Sequence, residues 1–404
     1  MITILRRNGF MRFYRAMKTF PLLRFAHLAF SLLTISVSLS QLAVSKDNYF
    51  VYIGTYTQEG STSKGIYAYR YDSAAGKLTS VGLVAATKNP SFLAVHPNHH
   101  FIYAVNEVGD YQGQKSGAVS AFAVDATTGK LKFLNQVASG GADPCYITVD
   151  STGKYVLVAN YTGGSIASFP ILPDGSLGKA SAFVQHSGHG TDPKRQEGPH
   201  AHSIDLSPDN RFAIVDDLGL DETLVYKFDS SNGSLTLNDP PFAKANPGAG
   251  PRHFAFAPNG KFGYVLDEMG STISVFSYDN GVLHSQQTIS AIPKSFTELS
   301  EAAEIAVHPS GKFLYASNRG HDSIAVFAID QDKGTLSLIE YAPTKGQSPR
   351  NFAIDPTGKL LFDANEKSDN IVLFHIDQKT GRLTPTGQVF DISQPVCVKF
   401  VPIE

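Results

Sequence analysis

A fourteen-residue pattern returns six times along this chain, and that repetition limits its architecture more than any other feature. The copies are LAVHPNHHFIYAVN (93–106), ITVDSTGKYVLVAN (147–160), IDLSPDNRFAIVDD (204–217), FAFAPNGKFGYVLD (254–267), IAVHPSGKFLYASN (305–318) and FAIDPTGKLLFDAN (352–365). Their register is strict: each turn residue (Pro97, Ser151, Pro208, Pro258, Pro309, Pro356) lies nine positions before an Asn or Asp (Asn106, Asn160, Asp217, Asp267, Asn318, Asn365). Short apolar runs broken by Gly, Asp, Asn and Pro predict strands, and no segment sustains a helical period. A third apolar run and a charged Gly turn follow each copy, as in SVFSYDNGVL and AVFAIDQDKGTL, so one repeat supplies four strands. A sheet apolar on both faces must stack against its neighbours, and a period of about 50 residues is that of a propeller blade. The expected fold is all-β, a seven-bladed β-propeller of four-stranded antiparallel blades. A seventh copy is split between the ends, with PVCVKFVP (395–402) as inner strand and FVYIGTY (50–56) and GIYAYRYDSAAGKL (65–78) supplying the rest, which closes the ring without open edges.

Two segments are expected, a signal peptide over residues 1–45 and the propeller domain over 46–404. Arg6, Arg7, Arg12, Arg15, Lys18 and Arg24 precede an apolar run from Phe25 to Leu42, with no acidic residue before Asp47. Ala43 and Ser45 suit a cleavage site, which places the mature start near Lys46. The competing reading, an uncleaved anchor, needs a run that is only marginally long enough to span a bilayer. Either reading puts the domain outside the cytoplasm, in the periplasm or secreted, and cleavage would leave no stable membrane association. The 34 Lys and Arg nearly balance 36 Asp and Glu, for a formal charge of -2. That balance lacks the basic excess needed to track phosphates, so no nucleic-acid partner is expected. The two cysteines, on separated blades, read as buried thiols, and a monomer is expected.

Polar residues at the start of the inner strands converge on one mouth of a propeller channel. Six places before the turn residue the copies hold Ser91, Cys145, His202, Arg252, Ala303, Arg350 and Val396; the next place holds Phe92, Tyr146, Ser203, His253, Glu304, Asn351 and Cys397. Folding gives no reason for His202, Arg252, His253, Glu304 and Arg350 where other copies carry small or apolar side chains. The loop EGPHAHS adds Glu197 and His200. After the repeated Asn or Asp stand Glu107, Tyr161, Leu218, Glu268, Arg319 and Glu366, at a strand end that antiparallel pairing brings to the same face. Arginines with a carboxylate and a histidine suit a small anionic, oxygen-rich ligand, because guanidinium groups bind carboxylate or phosphate through paired hydrogen bonds.

Other polar residues have a scaffold reading. The repeated Asn and Asp are too regular to be a site and suit turn-capping. His96 and His308 fall at the turn. His186, His189 and His200 have no familiar zinc spacing. No metal or other cofactor is expected, although Glu and Asn groups at a channel mouth are chemically able to hold Ca²⁺.

YIGTYT (52–57), GPHAHS (198–203), GPRHFAFAPNGKFGYVLDE (250–268) and SPRNFAIDPTGK (348–359) together resemble the seven-bladed propeller lactonase family, which includes 6-phosphogluconolactonases and carboxymuconate cyclases. The resemblance covers essentially all of the expected mature chain. By motif, the histidine, two arginines and glutamate of the family's cyclase branch fall on His200 or His202, Arg252, Arg350 and Glu268. It implies opening of a lactone ring by water, with Glu268, His200, His202 and Arg252 in catalytic roles and Arg350, His253, Glu304, Glu107 and Arg319 binding substrate. Glu268 or a histidine would activate the water, and no Gly-x-Ser-x-Gly elbow supports a serine acyl-enzyme. An exported chain suits an unphosphorylated sugar lactone better than a cytoplasmic phosphorylated one. A muconate-type cycloisomerase and a non-catalytic binding propeller are the alternatives, since fold does not fix chemistry.

Overall fold

A computed structural model of the chain describes residues 48–403. The expected signal peptide, with residues 46, 47 and 404 of the expected domain, lies outside the described residues. Seven four-stranded antiparallel sheets follow one another, with no strand crossing between them except at closure. Blade 1 joins inner strand Pro395–Pro402 to Asn48–Thr55, Gly65–Asp72 and Lys77–Ala86, as the split repeat requires. Blades 2 to 7 have inner strands Leu93–Val95, Pro144–Val149, Ala201–Leu206, Pro251–Phe256, Glu301–Val307 and Pro349–Ile354. No helix among the described residues is long and apolar enough to cross a membrane.

The repeated residues hold blade to blade. Buried Tyr52, Tyr103, Tyr264 and Tyr315, all on second strands, donate their hydroxyls to the carbonyls of Gly129, Gly175, Gly334 and Gly381 in the next blade's outer hairpin. A bond of this kind contributes about 1 kcal/mol, and leaving the buried hydroxyl unpaired would cost more. His96 and His308 bond through Nε2 to the carbonyls of Gly153 and Gly358, at 2.9 and 2.8 Å, in the neighbouring turn. Those glycines have φ of 69° and 73°, and a Cβ there would press on the imidazoles, so turn conformation and blade contact both require Gly. The repeated Asn also stitches. Asn106, Asn160 and Asn318 donate to the carbonyls of Lys88, Ser139 and Ala291, where the chain leaves the preceding blade. Cys145 and Cys397 are buried free thiols.

Candidate active site at the channel mouth

The site begins with an irregularity in the inner strands. In blade 5 Pro251 pairs with Asp267 and His253 with Leu266, so Arg252 is the extra residue of a β-bulge. Cys145, His202, Arg350 and Val396 are bulged in the same way, and in blade 6 the shift takes in Ala303 and Glu304. A bulge breaks the strict alternation of faces and re-aims a side chain. In blade 5 two consecutive residues, Arg252 and His253, thereby join one buried cluster with Glu268 and Glu304, which is why both compared positions carry unusual residues there.

Glu268 is the hub of the upper tier. Its Oε2 accepts from Arg252 Nε at 2.8 Å and lies 2.9 Å from Arg319, while its Oε1 meets Arg195 at 2.5 Å. Burial by itself raises the pKa of this carboxyl, but Arg319, Arg252 and Arg195 overcome it and hold Glu268 well below the usual carboxylate range. Arg252 is 2% exposed, and burial together with neighbouring Arg319 pushes its pKa down to about 10 against the pull of Glu268. It also donates to the carbonyl of Ala303 in blade 6 and to His253 Nε2 at 3.1 Å.

Arg252 therefore sets the tautomer of His253: Nε2 accepts, so Nδ1 carries the proton and donates to Glu304 Oε1 at 3.2 Å. His202 sits with its Nε2 3.8 Å from Glu268 and its Nδ1 3.7 Å from the Cys145 sulfur. Burial, then Arg252, depress both His202 and His253 well below the ordinary histidine range, so both are neutral. Burial also raises the Cys145 thiol, which leaves a Cys–His–Glu alignment with no thiolate. His200 stacks on Tyr161 with ring centroids 4.6 Å apart and bonds through Nδ1 to the Tyr161 carbonyl at 3.1 Å. Glu304 differs from its expected place at the mouth. It lies one tier deeper, taking hydrogen bonds from Asn351 and the Ile305 amide, and faces a cavity of about 350 Å³ in the channel with Lys399. Burial pushes its pKa up to about 7 against the pull of Lys399 and Arg252.

Two cavities open above this buried cluster. One, about 440 Å³, is lined by Glu301, Arg319, Arg350, Glu366 and Lys367; the other, about 560 Å³, by Tyr56, Asn89, Glu107, Asp110, Asp143, Arg350 and Glu366, among others. Arg350 and Glu366 form their common wall. The Arg350 guanidinium lies 5.2 Å from the centre of the Tyr56 ring and has no ion pair or hydrogen bond to any described residue. Tyr56 donates its hydroxyl to Glu107 at 2.9 Å, and burial raises the Glu107 pKa against the pull of Arg350. The expected residues thus divide into two sets. Arg252, Glu268, His202 and His253 form a buried network, whereas Arg319, Arg350 and Glu107 face open space.

Sequence reasoning passed over Arg195, Tyr56, Tyr161 and Glu301 as site residues. Arg195 bonds to Tyr161 Oη at 3.3 Å, to Glu268 and to Glu301 Oε1 at 2.7 Å, tying blades 3, 5 and 6 together. It comes from the segment 186–200, the longest connection between blades, where no repeat exists to compare it against. Tyr56 was in view within YIGTYT, and its place directly after a second strand is equivalent to that of Glu107 and Glu268. Among the described residues no group of three or more His, Cys, Asp or Glu is placed to hold a metal.

Seven four-stranded blades around an arginine-lined, partly open mouth define a seven-bladed propeller with a polar, cavity-bearing channel mouth. Residues 50–400 match the family described as lactonase, 7-bladed beta-propeller, and the chain belongs to that family. A 6-phosphogluconolactonase of Bacillus subtilis is 39% identical over 356 residues, covering 87% of this chain and 98% of the relative. The structure of a periplasmic gluconolactonase from Pseudomonas aeruginosa superposes with a TM-score of 0.82 at 32% identity, over 88% of this chain and all of that one. A Bacteroides fragilis structure described as a candidate 6-phosphogluconolactonase gives the same TM-score at 39% identity, over 88% of this chain and 98% of that one.

Proposed function

We propose that this chain hydrolyses a sugar-acid lactone at the channel mouth, with Arg350 at the reacting carbonyl. The observation that carries this reading is the contrast among the arginines: Arg195, Arg252 and Arg319 are engaged by Glu268, while Arg350 stands on the wall between two cavities with its donors unused. Two parallel N–H groups aimed at a carbonyl oxygen supply what a tetrahedral oxyanion needs. The larger cavity adds Glu107, Asp110, Asp143, Glu366 and Asn89, a set of acceptors suited to the hydroxyls of a sugar ring. Relatives named 6-phosphogluconolactonase and gluconolactonase support a lactone of this class.

Glu107 takes the role of base in this mechanism. A carboxylate pinned by three arginines is a poor proton acceptor, which moves Glu268 from the expected base role to that of holding Arg252 and Arg319 in place. Glu107 has the opposite electrostatics, with burial keeping its basicity up beside Arg350. It takes one proton from a water whose oxygen attacks the lactone carbonyl carbon. The intermediate collapses with cleavage of the ring C–O bond, and Glu107 returns the proton to the departing ring oxygen, leaving the open hydroxy acid. The basic, apolar N-terminal segment and the periplasmic relative support a site of action outside the cytoplasm, where unphosphorylated gluconolactone is the substrate to try first.

Proton release from gluconolactone tests the reading. Arg350→Ala is expected to lose about 10²–10³-fold in turnover, and Glu107→Gln about 10²–10⁴-fold. A wild-type protein that accelerates no lactone, or an Arg350→Ala protein with full activity, would overturn it.

A further inference from the structure

The two cavities at the mouth offer more room than one sugar-acid lactone fills. At about 440 and 560 Å³, each falls within the range of about 300–1,000 Å³ typical of pockets that enclose a drug-sized molecule. A lactone ring bound in the larger cavity with its carbonyl at Arg350 does not reach into the smaller one, on the other side of the shared wall of Arg350 and Glu366. The smaller cavity suits a neutral, hydroxyl-rich group. Its lining carries three carboxylates, Glu301, Asp322 and Glu366, against three cations, Arg319, Arg350 and Lys367, so their formal charges cancel. Arg319 is ion-paired with Glu268, and Arg350 is assigned to the carbonyl, which leaves Lys367 as the one uncommitted cation among them.

Polar groups on that lining are fixed yet unspent. Asp322 Oδ1 accepts the amides of Gly320 and Ser348 at 3.2 and 2.8 Å, while its Oδ2 takes no hydrogen bond from a described residue. The side chains of Gln347, Glu366 and Lys367 have no hydrogen bond or ion pair to any described residue. Leu299 adds an apolar side to the same cavity. Nine large apolar side chains are exposed among the described residues; seven lie on outer strands and Leu172 in a blade 3 hairpin, all at 38–56%, whereas Leu299 is 81% exposed and lines the cavity. Its backbone is clamped. A Cβ on Gly320 would come within 2.3 Å of the Leu299 carbonyl oxygen, and Gly320 has a φ of 99°, so only glycine lets the two segments meet there. The next carbonyl, that of Ser300, accepts the Ser271 hydroxyl at 2.9 Å. An apolar side chain presented to water on a fixed backbone, among free donors and acceptors, matches a pyranose, which has C–H groups on its faces and hydroxyls around its rim.

We infer that the smaller cavity receives a second, neutral sugar ring, so that the substrate is the lactone of a disaccharide acid, with its lactone ring in the larger cavity and its glycosyl ring against Leu299. The inference rests on the lactonase reading of the mouth and narrows its substrate class. The place of the wall also sets the linkage. With the carbonyl carbon at Arg350, the ring's O4 lies across the ring, farthest from the wall, whereas O6 sits on an exocyclic arm beside the ring oxygen, next to the carbonyl carbon. A glycosyl group on O6 crosses into the smaller cavity, and one on O4 points away from it.

Proton release above the spontaneous rate on three lactones tests this: gluconolactone, the 6-O-linked lactone of melibionic acid and the 4-O-linked lactone of cellobionic acid. Wild-type kcat/KM for the melibionic lactone is expected to exceed that for gluconolactone by about tenfold, with no such advantage for the cellobionic lactone. Leu299→Asn and Gln347→Ala are each expected to cut the melibionic-to-gluconolactone ratio about fivefold, with thermal unfolding showing both proteins folded. If gluconolactone is opened and the melibionic lactone is no faster, or if both variants keep the wild-type ratio within about twofold, the second sugar site is refuted and the lactonase reading stands. An advantage confined to the cellobionic lactone also refutes the arrangement. If none of the three lactones is opened, both readings fall together.

Discussion

Glu268 and Glu304 sit on adjacent tiers of one channel, are both buried, and touch opposite ends of the same Arg252–His253 pair. Their acidities nevertheless diverge in opposite directions, one held well below the ordinary range and the other pushed up to about 7. Burial disfavours charge at both, so the neighbours decide. Glu268 has three arginines in contact; Glu304 has Asn351, a neutral histidine and a backbone amide, with Lys399 acting from farther away. One carboxylate is a permanent anion that orders cations around the mouth. The other titrates in the physiological range, below the cavities where substrate is proposed to bind.

The largest expected effect comes from erasing the charge that makes the two tiers different. Glu268→Gln leaves Arg252 as a buried, uncompensated cation, a loss of about 3–5 kcal/mol by analogy with broken buried ion pairs. Urea unfolding at neutral pH checks this, and a change under 1 kcal/mol would mean the arginines are compensated elsewhere. A smaller effect, with a pH signature, is expected one tier down. Glu304 ionises near 4.5 when unfolded and near 7 in the fold, so the folded state holds its proton longer and loses stability as pH rises through that window. Glu304→Gln removes that loss, and its stability relative to wild type should grow by about 1–3 kcal/mol between pH 5 and pH 8. Asp216 and Asp267, also raised by burial, give slopes of the same sign but remain in both proteins and cancel in the difference, whereas Asp205, which the Glu304 charge raises further, cancels only in part. A flat difference would show that Glu304 ionises normally. The smallest effect belongs to Cys145→Ser, beside His202. With the thiol kept protonated, lactone hydrolysis should stay within about twofold of wild type, and a loss of a hundredfold would make the sulfur a nucleophile.

The two tiers were unequally legible in the sequence. Blade count, the shared first blade and the inner-strand register all followed from a repeat whose Pro–Gly turns and Asn caps serve packing, because packing demands recur in every copy. The channel positions stood out for the opposite reason, as Arg252 and Arg350 replace residues that packing would choose. What the repeat concealed was depth. A bulge adds one residue without altering composition, so nothing in the string separated Glu304, below the mouth, from Arg350, at it. Nor does a pattern of types tell whether an arginine is engaged or free: Arg252 and Arg350 hold equivalent positions in their repeats, yet only Arg252 has a carboxylate in contact. Arg195 lay beyond reach because a connection without periodicity carries no expected residue from which to depart.

The first blade gives the site a history as well as a place. Its inner strand, Pro395–Pro402, pairs with Asn48–Thr55 from the opposite end of the described chain, with Tyr49 opposite Pro402. Long-range pairing of this kind delays folding, since chain entropy must be surrendered before the contact repays it. Blades 3 to 6, which carry Tyr161, Arg195, His202, Arg252, Glu268 and Glu301, follow one another without interruption and need only neighbours to form. Arg350 stands in blade 7 and Tyr56 directly after a strand of blade 1, on either side of the seam, so the larger cavity, which both line, exists only once the ring has shut. A chain caught before closure would carry a complete arginine network but lack the larger cavity, where Glu107 is proposed to act, and the appearance of activity during refolding would time the seam itself.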